Sequence, residues 1–271
     1  MKSTHLGMGV VLFEQALDID QEFLFEYIDW LKANKENEFI YEEENGVLYA
    51  INKSGFKFNV EDIKRAPQRF IDLLNRQYQA NPPKKYIDFI SSLENTVYKC
   101  IVGYCKYFED AATTSWWRPI GHIVGYESGQ KIGPHCDTQV PYEWGKKINN
   151  QAPIHNTLSI NLYLNDCVDS DSLLNKYTYT GGEIHFSNIP YTYMPKAGSV
   201  LVYPSSYIGR HEVCEIKNGE RYAFLSNACY GASFDSQDIE IIGQDTGNKH
   251  WMPELISDLS KITDHGNDIK E

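Results

Sequence analysis

Between Lys85 and Phe108, apolar residues recur at steps of three or four: Tyr86, Ile90, Leu93, Val97, Ile101, Tyr104 and Phe108. They form one continuous stripe of an amphipathic helix. A stripe that long needs a broad surface to lie on, and a sheet is the natural one. After Trp117 the pattern changes to short β-rich runs separated by turn residues. The candidate strands are Ile120 to Tyr126, Leu158 to Asn165, Gly182 to Phe186, Ser199 to Tyr203, Glu212 to Ile216 and Arg221 to Cys229. Many short strands behind a helical lead-in predict a mainly β (α+β) fold, an antiparallel sandwich or jelly roll braced by helices.

The lead-in, residues 1–95, has its own pattern. Asp18 or Asp20 can cap a helix carrying Leu24, Tyr27, Ile28 and Leu31 on one face. A second helical pattern runs from Gln68 to Tyr78 before the Pro82-Pro83 break, and Asn45-Gly46 marks the turn of a hairpin between residues 39 and 59. The core then spans residues 96–232, and residues 233–271 are a polar C-terminal extension with one short helical pattern from Pro253 to Leu259.

The balance of 25 basic against 37 acidic residues, net -12, works against nucleic acid as a partner, since phosphate binding needs clustered Lys and Arg. A small anion held by one buried Arg remains compatible with that balance. The apolar run Met8 to Phe13 soon meets Glu14 and lacks a cleavage site, so it reads as structure and not as a signal peptide. No stretch approaches the ~20 apolar residues that span a bilayer. The six cysteines include no C-x-x-C pair, which argues against a disulfide scaffold or zinc ribbon, and a cytoplasmic location is expected.

The chemistry concentrates in "GYESGQKIGPHCDTQ", where His135 stands two residues before Asp137. By shuffling, such an H-x-D arises in about four chains of this composition in ten, so context decides its meaning. A third ligand candidate, His211, follows 74 positions after Asp137 at the start of a predicted strand. Two histidines and one carboxylate on one face of a metal leave the opposite positions open, the arrangement of non-haem Fe(II) oxygenases. Arg221 lies ten residues beyond His211, on the far side of an Asn218-Gly219 turn. On adjacent strands, its guanidinium can sit deep in the barrel and take a carboxylate in bidentate fashion. Tyr126 ends the preceding strand, and Tyr163 alternates with Ser159 and Asn161 on one strand face, so their polar groups can complete that cradle. Gly181-Gly182 permits a tight turn or a close backbone approach.

The order Tyr126, His135-x-Asp137, Tyr163-Leu164-Asn165, Gly181-Gly182, Pro195-x-x-Gly198, His211 and Arg221 resembles the prolyl 4-hydroxylase-like branch of the Fe(II)- and 2-oxoglutarate-dependent dioxygenases. "HEV" followed by "GERYA" carries the resemblance over residues 118 to 230. It implies a double-stranded β-helix with helices against one sheet. It implies His135, Asp137 and His211 as iron ligands and Arg221 as partner of the distal carboxylate of 2-oxoglutarate, with Tyr126, Tyr163 and Asn161 also facing that co-substrate. Fe(II), 2-oxoglutarate and O₂ would be consumed or bound, with ascorbate as an auxiliary reductant. The implied activity is hydroxylation of a prolyl residue in a peptide or protein, or of a free amino acid or other small molecule, with release of succinate and CO₂. Asn227 stands where relatives often carry a bulky aromatic, and many relatives have Lys in place of Arg221.

His122 shares Tyr126's face by alternation, so it can line the pocket or tune a metal from behind its ligands, though a satisfied core histidine is the simpler reading; His155 and His185 read as structural or surface histidines. The segment Thr138 to Asn156 is long enough to form a lid carrying Tyr142 and Trp144, and the acidic insert Asn165 to Ser172 reads as a solvated loop. Two rival readings, a non-catalytic jelly-roll binding module and a Zn(II) hydrolase, leave Arg221 without a task.

Overall fold

The computed structural model describes residues 1–34, 39–52, 57–59, 68–70, 81–115, 117–119, 121–138, 155–230 and 249–251. The chain opens on the hairpin β1 (Lys2–Gly7) and β2 (Val10–Glu14), followed by α1 (Gln21–Asn34). A meander of β3 (Phe39–Glu44), β4 (Val47–Asn52) and β5 (Lys57–Asn59) comes next, then β6 (Gln68–Phe70), α2 (Lys84–Cys105) and the single turn α3 (Asp110–Thr113). The β-rich part runs β7 (Trp117–Pro119), β8 (His122–Tyr126), β9 (Ile132–His135), β10 (His155–Tyr163), β11 (Thr180–Gly181), β12 (Ile184–Phe186) and β13 (Thr192–Tyr193). It closes with β14 (Val200–Pro204), β15 (His211–Val213), β16 (Ile216–Asn218), β17 (Arg221–Tyr230) and β18 (Lys249–Trp251).

A large antiparallel sheet follows the order β1-β2-β14-β10-β17-β7-β18, with β8 also on β17 and β6 on β8. A smaller sheet has the order β13-β12-β15-β9. Side-chain alternation gives the large sheet two working faces. Val11, Phe13, Leu158, Ile160, Leu162, Val200, Val202 and Phe224 bury against α1 and α2. Their neighbours Leu12, Tyr126, Tyr163, Leu201, Tyr203 and Ala223 pack instead with Ile184, Phe186 and Val213 of the small sheet. This is a jelly roll with its helices on one outer face, as the sequence predicted.

Local chemistry explains the elements. Asp20 accepts from the Phe23 amide at 3.1 Å and caps α1. The long helix starts directly after Pro83 and buries Tyr86, Leu93, Val97, Ile101 and Tyr104, while Ile90 and Phe108 are partly buried against the same core. Tyr104 donates to the Gly9 carbonyl at 2.9 Å, tying this helix to the β1–β2 turn. Asn45 and Gly46 both take positive φ, 52° and 77°, the type I′ hairpin that their sequence predicts.

Three expectations change. The helical pattern from Gln68 begins instead as a strand, because Gln68, Arg69 and Phe70 complete the edge of β8 opposite Gly125, Val124 and Ile123; residues 71–80 lie outside the described residues. The expected strand Glu212 to Ile216 is divided: β15 joins the small sheet and β16 pairs with β11. The acidic insert is more than a solvated loop. Asn165 is fully buried, accepts from the Tyr222 amide at 2.8 Å and donates to the Tyr177 and Glu220 carbonyls, while Cys167 is buried beside it. The short helical pattern from Pro253 lies outside the described residues. Among the described residues no helix is long and apolar enough to cross a membrane, and the six cysteines are free thiols.

Glu94 of α2 forms a buried ion pair with Arg118 of β7 and accepts from the Gly121 amide at 2.7 Å. It pins the helix layer to the strand leading into the site. Glu94→Ala leaves Arg118 buried without its partner and is expected to cost about 3–5 kcal/mol in urea unfolding; a loss below about 1 kcal/mol would show that the pair holds nothing together.

Candidate metal centre

Strands β9 and β15 are neighbours in the small sheet, and their register sets His135 directly opposite His211. The two imidazole centroids lie 4.5 Å apart. Asp137 follows two residues on, its Oδ1 3.3 Å from His135 Nε2. One ligand atom from each of His135, Asp137 and His211 lies within 4.8 Å of the others, and Cys136 between them contributes none.

Each histidine is held in the same way. His135 Nδ1 lies 2.8 Å from the Gly133 carbonyl, and His211 Nδ1 lies 3.0 Å from the Gly209 carbonyl. A carbonyl can only accept, so each ring carries a proton on Nδ1; neutral His211 keeps the Nε2 lone pair, whereas His135 Nε2, bonded to the Asp137 carboxylate, carries a proton that a metal would displace. Burial lowers the pKa of His211, which favours the neutral ring a metal requires. The hydrogen bond with Asp137 raises that of His135. Burial would raise the Asp137 carboxyl, but the bonds from His135 and Ser159 and the charge of His211 outweigh it, so it is held below the usual range. Ser159 donates to Asp137 Oδ2 at 2.5 Å and shares a 2.7 Å bond with Ser205, while Asn156 donates to the Asp137 carbonyl at 3.1 Å. One carboxylate oxygen is thereby fixed, and the other points at the histidines.

A second polar pocket lies deeper. Arg221 opens β17 opposite Tyr126 of β8 and is 1% exposed, the largest fully buried side chain among the described residues. Its guanidinium carbon sits 4.6 Å above the Tyr126 ring and 5.6 Å from that of Tyr163. Among the described residues no carboxylate forms an ion pair with it, and its Nε and Nη1, like the hydroxyls of Tyr163 and Tyr179, have no hydrogen-bond partner. Burial works against its charge, but Tyr179, Tyr126 and Tyr163 around it outweigh burial and the guanidinium stays protonated. Burial also raises the pKa of the Tyr163 and Tyr179 phenols, so both remain donors. A buried cation ringed by unspent donors fits a carboxylate from outside the chain. Gly182, with φ +68°, leaves the room: a Cβ there would meet Ile216 Cδ1 at 2.3 Å and Arg221 Cδ at 3.1 Å.

The expected site residues thus fall into two groups, His135, Asp137 and His211 at one end and Arg221, Tyr126 and Tyr163 at the other. Asn161 lies between them and spends its amide on Tyr203, donating to that hydroxyl at 2.9 Å. Tyr179 and Tyr203 escaped sequence reading. Tyr203 was within reach, because it alternates with Val202 on β14 and pairs with Ser159. Tyr179 was not, since its placement depends on the pairing of β11 with β16. His185 bonds Thr192 at 3.0 Å and is structural, while Tyr142 and Trp144 lie outside the described residues.

The β-rich part that carries the two histidines, the carboxylate and the buried arginine is also the part that resembles known proteins. Residues 121–228 match the 2OG-Fe(II) oxygenase superfamily. A PKHD-type hydroxylase of Prochlorococcus marinus (strain MIT 9312) is 48% identical over 52 residues, 18% of this chain and 23% of that protein. The match therefore spans under a quarter of the curated relative's length. Among solved structures, a viral collagen prolyl hydroxylase from Paramecium bursaria Chlorella virus-1 aligns at 14% identity and TM-score 0.40 over 82% of this chain and 96% of its own. A Pseudomonas putida prolyl-4-hydroxylase aligns at 16% and 0.42, covering 83% and 94%. A Trichoplax adhaerens prolyl hydroxylase, solved with a hypoxia inducible factor peptide, aligns at 14% and 0.47, covering 88% and 87%.

An unpartnered buried cation costs folding free energy. Arg221→Met is expected to raise the stability of the ligand-free protein by about 1–4 kcal/mol in urea unfolding. A destabilised variant would mean that Arg221 is already neutralised within the fold.

Proposed function

We propose that this protein is an Fe(II)- and 2-oxoglutarate-dependent dioxygenase that hydroxylates a C–H bond of a prolyl residue in a peptide or protein. The observation that carries the reading is the pairing of two sites in one barrel: three metal-ligating groups that converge, and the buried Arg221 with no ion pair among the described residues. A Zn(II) hydrolase or a sugar-binding jelly roll has use for at most one of these. The prolyl substrate is supported by the order of motifs from Tyr126 to Arg221, and the hydroxylase reading by the superfamily match and the PKHD-type relative.

In this reading His135 Nε2, Asp137 Oδ1 and His211 Nε2 bind the metal. Bound Fe(II), together with 2-oxoglutarate and O₂, supplies oxidative chemistry that releases succinate and CO₂ and hydroxylates the substrate. Arg221 takes the distal carboxylate of 2-oxoglutarate, with the Tyr126 and Tyr163 hydroxyls as further donors. The two Nδ1–carbonyl bonds fix the ring orientations, and the Ser159 bond fixes the carboxylate, so the direction of each ligand is set before a metal arrives. Val124, Ile184, Phe186 and Val213 are buried in the same cluster as Tyr126, Tyr163 and Tyr203, which gives the site apolar surroundings.

Anaerobic addition of Fe(II) and 2-oxoglutarate is expected to give the weak visible charge-transfer band of the chelate. His135→Ala abolishes it, and Arg221→Ala weakens 2-oxoglutarate binding roughly 10- to 100-fold, the loss of a buried charge-assisted contact. Succinate formation should rise with a proline-containing peptide and not with free amino acids. Wild-type protein that binds no metal and forms no succinate with any substrate overturns the reading; succinate formed only with a free amino acid overturns its substrate.

A further inference from the structure

His211 Nε2, the nitrogen assigned to the metal, already has a partner. With Nδ1 committed to the Gly209 carbonyl, Nε2 is an acceptor, and the Tyr203 hydroxyl lies 3.1 Å from it. Tyr203 must therefore be the donor. Its oxygen accepts in turn from Asn161 Nδ2 at 2.9 Å, which leaves the phenolic proton free to point at the histidine. The ring is buried and stands edge-on to His211 and to Phe186, with centroids 4.9 Å and 5.2 Å away, so the hydroxyl can turn but the ring has nowhere to go.

Nε2 has one lone pair. A metal that takes it leaves a buried phenolic proton without an acceptor, which is costly unless another oxygen arrives. The nearby Asp137 already accepts from Ser159 at Oδ2 and from His135 at Oδ1, and no hydrogen bond joins it to Tyr203 among the described residues. Asn161, however, stands on β10 between Ser159, which touches Asp137, and Tyr163, which faces Arg221. Asn161 and Tyr203 thus occupy the middle of the path from metal to arginine, where the metal-side carboxylate of a dicarboxylate anchored at Arg221 would lie.

We infer that Tyr203, positioned by Asn161, is a further binding residue of this centre. It occupies His211 Nε2 in the metal-free protein and passes its hydrogen bond to the metal-side carboxylate of 2-oxoglutarate on loading. This rests on the Fe(II) and 2-oxoglutarate reading above. The phenol then has opposite effects on two successive steps. It competes with the metal and helps the co-substrate.

Titrating metal-free protein with Mn(II), followed by the EPR signal of the free ion, separates the two. Tyr203→Phe keeps the packed ring and is expected to bind Mn(II) about fivefold more tightly without 2-oxoglutarate, and its Mn(II) form to bind 2-oxoglutarate about fivefold more weakly. Asn161→Ala should move both constants in the same directions by less. Unchanged or weaker Mn(II) binding by Tyr203→Phe, or unchanged 2-oxoglutarate affinity, overturns the inference, and unchanged constants in Asn161→Ala remove Asn161 from it. Failure of the wild-type protein to bind Mn(II) or 2-oxoglutarate would instead overturn the functional reading beneath it. Should Tyr203→Phe not fold, ¹⁵N NMR of the wild-type histidines decides. A metal-free His211 Nε2 shifted as a hydrogen-bond acceptor supports the inference, and one at the position of an unbonded imidazole nitrogen overturns it.

Discussion

Strand alternation on the large sheet is the constraint on which both the core and the site depend. Successive residues of a strand face opposite sides, so β10 has to satisfy two environments residue by residue. Leu158, Ile160 and Leu162 seal the sheet against the helices, while Ser159, Asn161 and Tyr163 face the barrel. The inward three reach Asp137, Tyr203 and the Arg221 pocket in turn. A slip of one residue in register would put polar groups against α2 and leucines around His135, Asp137 and His211. The helix layer therefore does more than brace the fold, because burying one set of side chains fixes the direction of the other. The buried Glu94–Arg118 pair couples the same helix to the strand that precedes β8.

The two halves of the site are held by different physics. At the metal end every polar atom that orients a ligand is already bonded: the histidine Nδ1 atoms to carbonyls, and Asp137 to Ser159. That half is preorganised and its assembly is favourable by itself. At the arginine end the fold buries a charge with no ion pair among the described residues, and leaves its Nε and Nη1 and the hydroxyls of Tyr163 and Tyr179 without hydrogen-bond partners. Such a pocket opposes folding and favours anion binding, the trade between stability and function expected at a binding site. The packing around it is tight, with Gly182 leaving just enough space for the Arg221 stem.

Much of this was legible in the sequence where one residue type admits one physical use. The 85–108 stripe, the Asn45-Gly46 turn and the alternation of β10 each encode their own geometry, and His135, Asp137, His211 and Arg221 could be picked out by order and spacing. Gly181 and Gly182 also read correctly, since their positive φ and close contacts are what glycine alone allows. What failed depended on partners distant in the chain. Gln68 to Phe70 carry a helical pattern, yet the open edge of β8 captured them as a strand. Asn165 looked like the start of a polar loop, but its side chain satisfies backbone groups at Tyr177, Glu220 and Tyr222. Tyr179 was one of nineteen tyrosines, and nothing local distinguished it.

The site is also graded in exposure. Arg221 is 1% exposed and His211 4%, whereas the His135 and Asp137 side chains are 26% and 25% exposed. The deepest charge, Arg221, is thus the one with no ion pair among the described residues, while the two side chains of the H-x-D segment lie nearest the surface. A buried charge gains more from a partner than an exposed one, because less solvent competes for it, so the strongest electrostatic demand of the site lies at its deepest point.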